Sequence, residues 1–311
     1  MPVNPAERAF FEMLIKRAEE EQTKPVEEQS LEEFREGVSI FAEFSEECID
    51  INSSDSIVLS RDGYSIPIRI YNPDKTGPAL IFYPGTGYII DLFEANGTAC
   101  SRIAKFSDSK VILINYRLAP EFPLPTAIYD AYDATKFIVT HANEFGIDPT
   151  NIVIGGISSG AHCAAVISNL ARKDSDFKIH QQILINGYYD SSQSQYGFND
   201  YEAEDLMLSG EAMSAIINFQ KNSAANFINP LLSPILEQDL SGLPNTTMLI
   251  GEYDGLRSDS EAYCKKLTAA GNRVERILLQ GQTHNPLILR KAMTDGEDPA
   301  KTIADVFLKC T

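Results

Sequence analysis

The pentapeptide Gly156-Ile157-Ser158-Ser159-Gly160 holds two hydroxyls that could act as nucleophiles. The pattern Gly-x-Ser-x-Gly fits in one frame, which puts Ser158 at the centre and makes Ser159 its neighbour. Such a pentapeptide is a weak signal alone, and its context sharpens it. It follows an apolar run, NIVIGG (151–156), and opens a helical stretch, SSGAHCAAVISNLARK (158–173). Strand, sharp turn and helix in that order lift a serine hydroxyl above the end of a sheet. The glycines two positions before and after the serine leave room where side chains would strike the neighbouring strand and helix. We read Ser158 as a catalytic nucleophile rather than a residue of a Gly-rich helix start.

A serine hydroxyl needs a base to take its proton and a third group to hold that base. In this setting the acid and then the histidine follow the serine in the chain. Four histidines are available: His141, His162, His180 and His284. His180 precedes an apolar run and so lies at the wrong end of a strand, because sites of open α/β sheets lie beyond the C-terminal strand ends. His162 sits one helical turn after Ser158, where a packed, hydrogen-bonded role is expected, and His141 reads as a surface residue near a helix end. His284, in the loop LLQGQTHNPLIL (278–289), is the expected base. For the acid, Asp254 in GEYDGLRSD directly follows the run TMLIG (247–251), whereas Asp259 should cap or solvate the first turn of the next helix.

These residues need a scaffold, and the remaining sequence supplies it. Short apolar runs at 79–83, 111–116, 151–156, 182–187 and 247–251 alternate with helical segments, the pattern of parallel strands buried on both faces. RVERILLQ (273–280) alternates and reads as an edge strand. Asp62-Gly63 sits between two β-rich runs, a strong hairpin signal. The expectation is an α/β fold with a mostly parallel sheet of about eight strands flanked by helices. Residues 1–50 read as amphipathic helices through Phe10, Phe11, Leu14, Ile15 and Ala18, then Leu31, Phe34, Val38, Phe41 and Phe44. More than fifty residues separate NGYYD from TMLIG, too many for a loose loop, so 190–228 is expected to be a cap inserted between core segments 51–189 and 229–311.

With these residues placed, the chain from about 60 to 310 resembles the hormone-sensitive-lipase-like carboxylesterases of the α/β-hydrolase superfamily. YRLAPEFPLPTAIYDAY (116–132), GIDPTNIVIGGISSGAH (146–162) and SPILEQDLSGLPNTTMLIGEYDGLRSDSEAYCKKLTAAG (233–271) carry the resemblance. It implies the α/β-hydrolase fold with a helical cap, Ser158 as nucleophile, Asp254 as acid and His284 as base. It also implies an oxyanion hole made by backbone N–H groups of Thr86, Gly87 and Ser159. Where that family has His-Gly-Gly-Gly-Phe, this chain has Pro84-Gly85-Thr86-Gly87-Tyr88. A left-handed Thr86 would carry a Cβ strain of roughly 1–2 kcal/mol. Ile157 stands where the family commonly has an acidic or small polar residue, and Asn285-Pro286 replaces Gly-Phe after the histidine.

Composition narrows the partners. A formal charge of −18 argues against nucleic acid, whose phosphates require a basic surface. Much of the acidic excess lies in EEEQTKPVEEQSLEEFREG, the solvated faces of helices. Five scattered cysteines without metal-ligand spacing read as reduced thiols in a cytoplasmic protein. No apolar run reaches the ~18 residues of a membrane span. The reading is a serine esterase acting on small to medium acyl esters through an acyl-enzyme, with no cofactor or metal. A homodimer stays open as its assembly. The rival readings are a non-catalytic small-ligand-binding protein on the same fold, and amide or thioester hydrolysis by the same triad.

Overall fold

The computed structural model describes residues 3–46, 48–192, 208–221, 226–285, 287–292 and 298–311. The amphipathic N-terminal segment forms three helices, α1 (Pro5–Glu20), α2 (Leu31–Ser39) and α3 (Phe41–Phe44). Their starts are encoded locally: Asn4 accepts from the Ala6 N–H with Pro5 in the first turn, and Ser30 and Glu33 form a reciprocal capping box. Phe10, Phe11 and Phe34 are buried, while Ile15 of the same apolar pattern faces outward.

The hairpin β1 (Ser53–Leu59) and β2 (Ser65–Tyr71) turns at Asp62-Gly63, with Gly63 at φ 83°. Then follow β3 (Gly77–Tyr83), α4 (Phe93–Ser107), β4 (Lys110–Ile114), α5 (Thr126–Thr140), α6 (Ala142–Phe145), β5 (Ile147–Ile157), α7 (Ser159–Lys173) and β6 (Gln181–Ile185). After α8 (Gly210–Lys221) come β7 (Asn245–Gly251), α9 (Arg257–Ala269), β8 (Val274–Leu279) and α10 (Pro299–Cys310). The strands make one eight-stranded sheet in the order β1-β2-β4-β3-β5-β6-β7-β8. It is antiparallel at β1-β2 and β2-β4 and parallel from β4 to β8. Strand β8 lies at the edge, as its alternation suggests.

Each central strand is apolar on both faces because both are covered. Ile81 and Ile154 point into one core with α5, α7 and α9, whereas Leu80, Phe82, Val153 and Ile183 point into the other with Cys100 and Ile103 of α4 and Ile303 and Phe307 of α10. The parallel register brings the C-terminal ends of β3, β5, β6 and β7 together, and the candidate catalytic loops leave from there. Within the expected cap, helix α8 covers Gly210–Lys221, and 193–207 and 222–225 lie outside the described residues.

Candidate active site

Ser158 stands between β5 and α7 at φ 55° and ψ −121°, a conformation that L-residues adopt at a cost. The surroundings hold it there. Its N–H donates to Ile185 O at 2.9 Å, and its carbonyl accepts from the N–H groups of Ala161 and His162. The flanking glycines are required by contact: a Cβ on Gly160 would lie 2.0 Å from Tyr83 O, and one on Gly156 would lie 2.4 Å from Gly160 C. Ile157, the odd residue of the pentapeptide, is fully buried in the core beneath α4 and α10.

The three residues expected to form a relay meet, although up to 126 positions separate them. The His284 Nε2 to Ser158 Oγ distance is 3.0 Å, and the His284 Nδ1 to Asp254 Oδ1 distance is also 3.0 Å. Asp254 is fixed by the exit of β7, where its Oδ1 also accepts from the Leu256 N–H at 2.8 Å. Both His284 and Asp254 are buried, which strengthens their interaction, while the serine hydroxyl faces a cavity.

The loop after β3 approaches the same serine. Thr86 does not adopt the left-handed conformation feared from its position; the positive φ values fall on Gly87 (53°) and Tyr88 (60°). Thr86 instead braces a turn: its carbonyl accepts from the N–H groups of Ile89 and Ile90, and its Oγ1 accepts from the Tyr88 N–H at 3.0 Å. The Thr86 N–H donates to Ser159 Oγ at 2.8 Å, so the second hydroxyl of the pentapeptide has a contact that the sequence did not disclose. Among the described residues, the N–H groups of Gly87 and Ser159 have no acceptor. Asn96 of α4 accepts from the Gly85 N–H at 3.1 Å, and Tyr116 OH donates to Pro84 O at 2.5 Å. These two side chains hold the loop where a histidine is missing from its start.

Residues 80–287 match a family described by the α/β hydrolase fold. The chain belongs to the α/β-hydrolase fold family. It is similar to an arylesterase of Saccharolobus solfataricus, 28% identical over 91% of this chain and 92% of that protein. It is 30% identical to an ethyl acetate hydrolase of Pseudomonas putida over 81% of this chain and 80% of the relative. Among solved structures it resembles an esterase of the hyperthermophilic archaeon Pyrobaculum calidifontis, with a TM-score of 0.85 and 26% identity over the whole of both chains. An α/β hydrolase enzyme from the metagenome of Lake Arreo gives a TM-score of 0.88 at 27% identity, over 98% of this chain and 97% of that one.

In this hydrolase the serine opens into a cavity of about 310 Å³. Its walls are Phe34, Val38 and Phe41 from the N-terminal helices, Met213 and Ile216 from α8, and Tyr188 after β6. Ile216 would meet a Cβ on Gly87 at 3.1 Å, and Gln220 Nε2 donates to Gly87 O at 2.6 Å, so α8 presses directly on the loop.

The other titratable candidates lie elsewhere. His162 is fully buried, bonded through Nδ1 to Tyr88 OH at 2.6 Å and through Nε2 to Leu232 O at 3.1 Å, and burial lowers its pKa to about 4. His180 is exposed, and His141 caps α5 while stacking on Phe137. Asp259 departs from expectation: it neither caps nor meets solvent, but is buried and accepts from the N–H groups of Tyr189 and Asp190. Burial pushes its pKa up to about 7 despite those bonds. Glu7 and Asn186 escaped the sequence reading, because their partners, Thr283 and His284, are distant in the chain; the Ser159 hydroxyl was read only as a rival nucleophile and not as the acceptor of the Thr86 N–H. Among the described residues no cluster of side chains could hold a metal ion, and no helix is long and apolar enough to cross a membrane.

Proposed function

We propose that this protein is a serine carboxylic-ester hydrolase of the hormone-sensitive-lipase-like branch, acting on small to medium neutral acyl esters. The observation that carries the reading is the continuous relay Ser158–His284–Asp254, with both links at 3.0 Å, opening into an apolar cavity. Esterases among its relatives support the same class.

His284 Nε2 takes the hydroxyl proton of Ser158 as Oγ attacks the ester carbonyl carbon. Negative charge then develops on the former carbonyl oxygen. The Gly87 and Ser159 N–H groups receive it, assisted by the N-terminus of the fifteen-residue helix α7. Thr86, the third residue expected at the hole, braces the loop, with its N–H engaged by Ser159 Oγ at 2.8 Å. The imidazolium, stabilised by Asp254, protonates the leaving alkoxide as the C–O bond breaks. His284 next takes a proton from water, the resulting hydroxide attacks the acyl-enzyme, and the proton returns to Ser158 Oγ as the acid leaves.

The N-terminal helices (residues 1–50) and the insertion (190–228) act as the cap over the core segments 51–189 and 229–311. Uncharged cavity walls favour neutral acyl chains over anionic ones. The five cysteines are unpaired, which favours a reducing, cytoplasmic location. The test is hydrolysis of p-nitrophenyl esters from acetate to laurate by the wild type and Ser158→Ala. The expected result is a maximum at short or medium chains and loss of at least about 10³-fold in the variant; equal rates would contradict the proposal.

A further inference from the structure

We propose that Glu7 and Asn186 form a two-sided clamp on the backbone that carries His284, and that both are positioning residues for the base. The proposal rests on His284 being that base. On one side, the Glu7 carboxylate accepts from the Thr283 N–H at 2.9 Å across 276 positions of chain. On the other, Asn186 Nδ2 donates to His284 O at 2.6 Å and approaches Thr283 O at 3.4 Å. The Thr283–His284 dipeptide is therefore held at both ends, by Glu7 at the peptide group entering Thr283 and by Asn186 at the one leaving His284, which fixes the starting direction of the imidazole.

Asn186 does more than hold one carbonyl. Its Oδ1 accepts from the Gly251 N–H at 2.8 Å, and Gly251 ends β7 three residues before Asp254. The residue before it, Ile185, accepts the Ser158 N–H. Two adjacent positions at the end of β6, Ile185 and Asn186, thus tie together the backbones bearing nucleophile, acid and base. Asn186 stands at φ 46°, left-handed, and asparagine is one of the few residues besides glycine that adopts this region readily. Its side chain and its backbone conformation serve the same junction.

Glu7 needs an explanation because it is 1% exposed in an acidic helix whose other carboxylates face water. Burying a carboxylate is costly unless it is hydrogen-bonded, and an apolar residue would pack α1 against the loop more cheaply. What an apolar residue cannot do is accept the Thr283 N–H. The adjacent bond from the Asn4 N–H to Gly281 O, at 2.9 Å, lays the first turn of α1 along the same loop. Burial raises the Glu7 pKa, and the bonds to Thr283 oppose the rise.

The experiment compares Glu7→Ala, Glu7→Gln, Asn186→Gly and His284→Ala with wild type, using p-nitrophenyl butyrate kinetics and thermal unfolding. Glu7→Ala and Asn186→Gly should lower kcat by about ten- to hundredfold, the scale of a small misplacement of a reacting group, with KM within about threefold. Glu7→Gln, which keeps an acceptor for Thr283, should recover to within about threefold of wild type. A folded Glu7→Ala with wild-type kcat would overturn the clamp, as would Glu7→Gln no better than Glu7→Ala, or a change confined to KM. Should Glu7→Ala fail to fold, Asn186→Gly and Glu7→Gln decide by the same criteria. Activity surviving in His284→Ala would instead mean that the base is misassigned; its loss beside unaffected clamp variants sinks the clamp alone.

Discussion

The closest approach in the site is between Gly160 and the end of β3, and it yields the sharpest prediction. A Cβ at Gly160 would sit 2.0 Å from Tyr83 O, 2.7 Å from Tyr83 C and 2.9 Å from Pro84 O. Ordinary contact begins near 3.4 Å, so Gly160→Ala requires α7 and the β3 terminus to separate by about 1.4 Å. Tyr83 cannot yield freely, because it is fully buried and its OH is bonded to Thr135 Oγ1 at 2.7 Å. Pro84 to Gly87 follow Tyr83 directly and Ser158 precedes Gly160 by two residues, so the separation moves the proposed oxyanion loop away from Ser158. A displacement of about 1 Å costs on the order of 10² in rate, and overpacking costs about 1–3 kcal/mol of stability. The assay is kcat on p-nitrophenyl butyrate, normalised by phosphonate titration of reactive serine, beside thermal unfolding. A variant with kcat within threefold of wild type and an unchanged melting temperature would refute the packing argument.

Four further outcomes follow from the same structure. His162 is neutral in the fold, with its pKa lowered to about 4 by burial, so the unfolded chain binds more protons between about 4 and 6.5. Its contribution is whole above pH 6.5 and declines by about 3 kcal/mol as pH falls to 4; wild type should lose that much more stability than His162→Gln in urea unfolding at the two pH values, and parallel curves would contradict it. Asp259 has the opposite sign, its pKa pushed up to about 7, so Asp259→Asn should be more stable than wild type at pH 8 and lose that advantage toward pH 4. Asp130→Ala removes the bonds at 2.7 and 2.8 Å to Arg117, which keeps its ion pair with Asp62, and should cost about 1.5–3 kcal/mol, read from denaturant midpoints. Thr86→Gly keeps its N–H but loses the Oγ1 bonds to Tyr116 and Tyr88, and kcat should fall by no more than about tenfold, against the 10²–10³ that loss of an oxyanion donor costs.

Most of the scaffold was legible because its signals are local. Continuous apolar runs marked strands covered on both sides, Asp62-Gly63 marked the hairpin, and chain order with strand-end position pointed to Asp254 and His284, which the fold brings together at 3.0 Å. What escaped depends on contacts that no local pattern carries. Thr86 looked like the strained residue of its loop, yet strain passed to Tyr88, whose OH is anchored to His162 and to Ser159 O. Asp259 looked like a solvated helix residue because its sequence neighbours are polar; the β6 exit folds over it and directs two N–H groups at its carboxylate. Glu7 was one acid among many in an acidic segment, and its partner lies at the other end of the chain. The Ser159 hydroxyl was hidden by its neighbour's stronger motif.

The central claim is that Ser158, and not Ser159, presents the reactive oxygen. Its most direct test is to treat wild type, Ser158→Ala and Ser159→Ala with a fluorophosphonate and locate the adduct by peptide mass spectrometry. The relay at 3.0 Å from His284 predicts one adduct on Ser158 in wild type and in Ser159→Ala, and none in Ser158→Ala. An adduct on Ser159, or full esterase activity in a protein whose Ser158 is unlabelled, would contradict it.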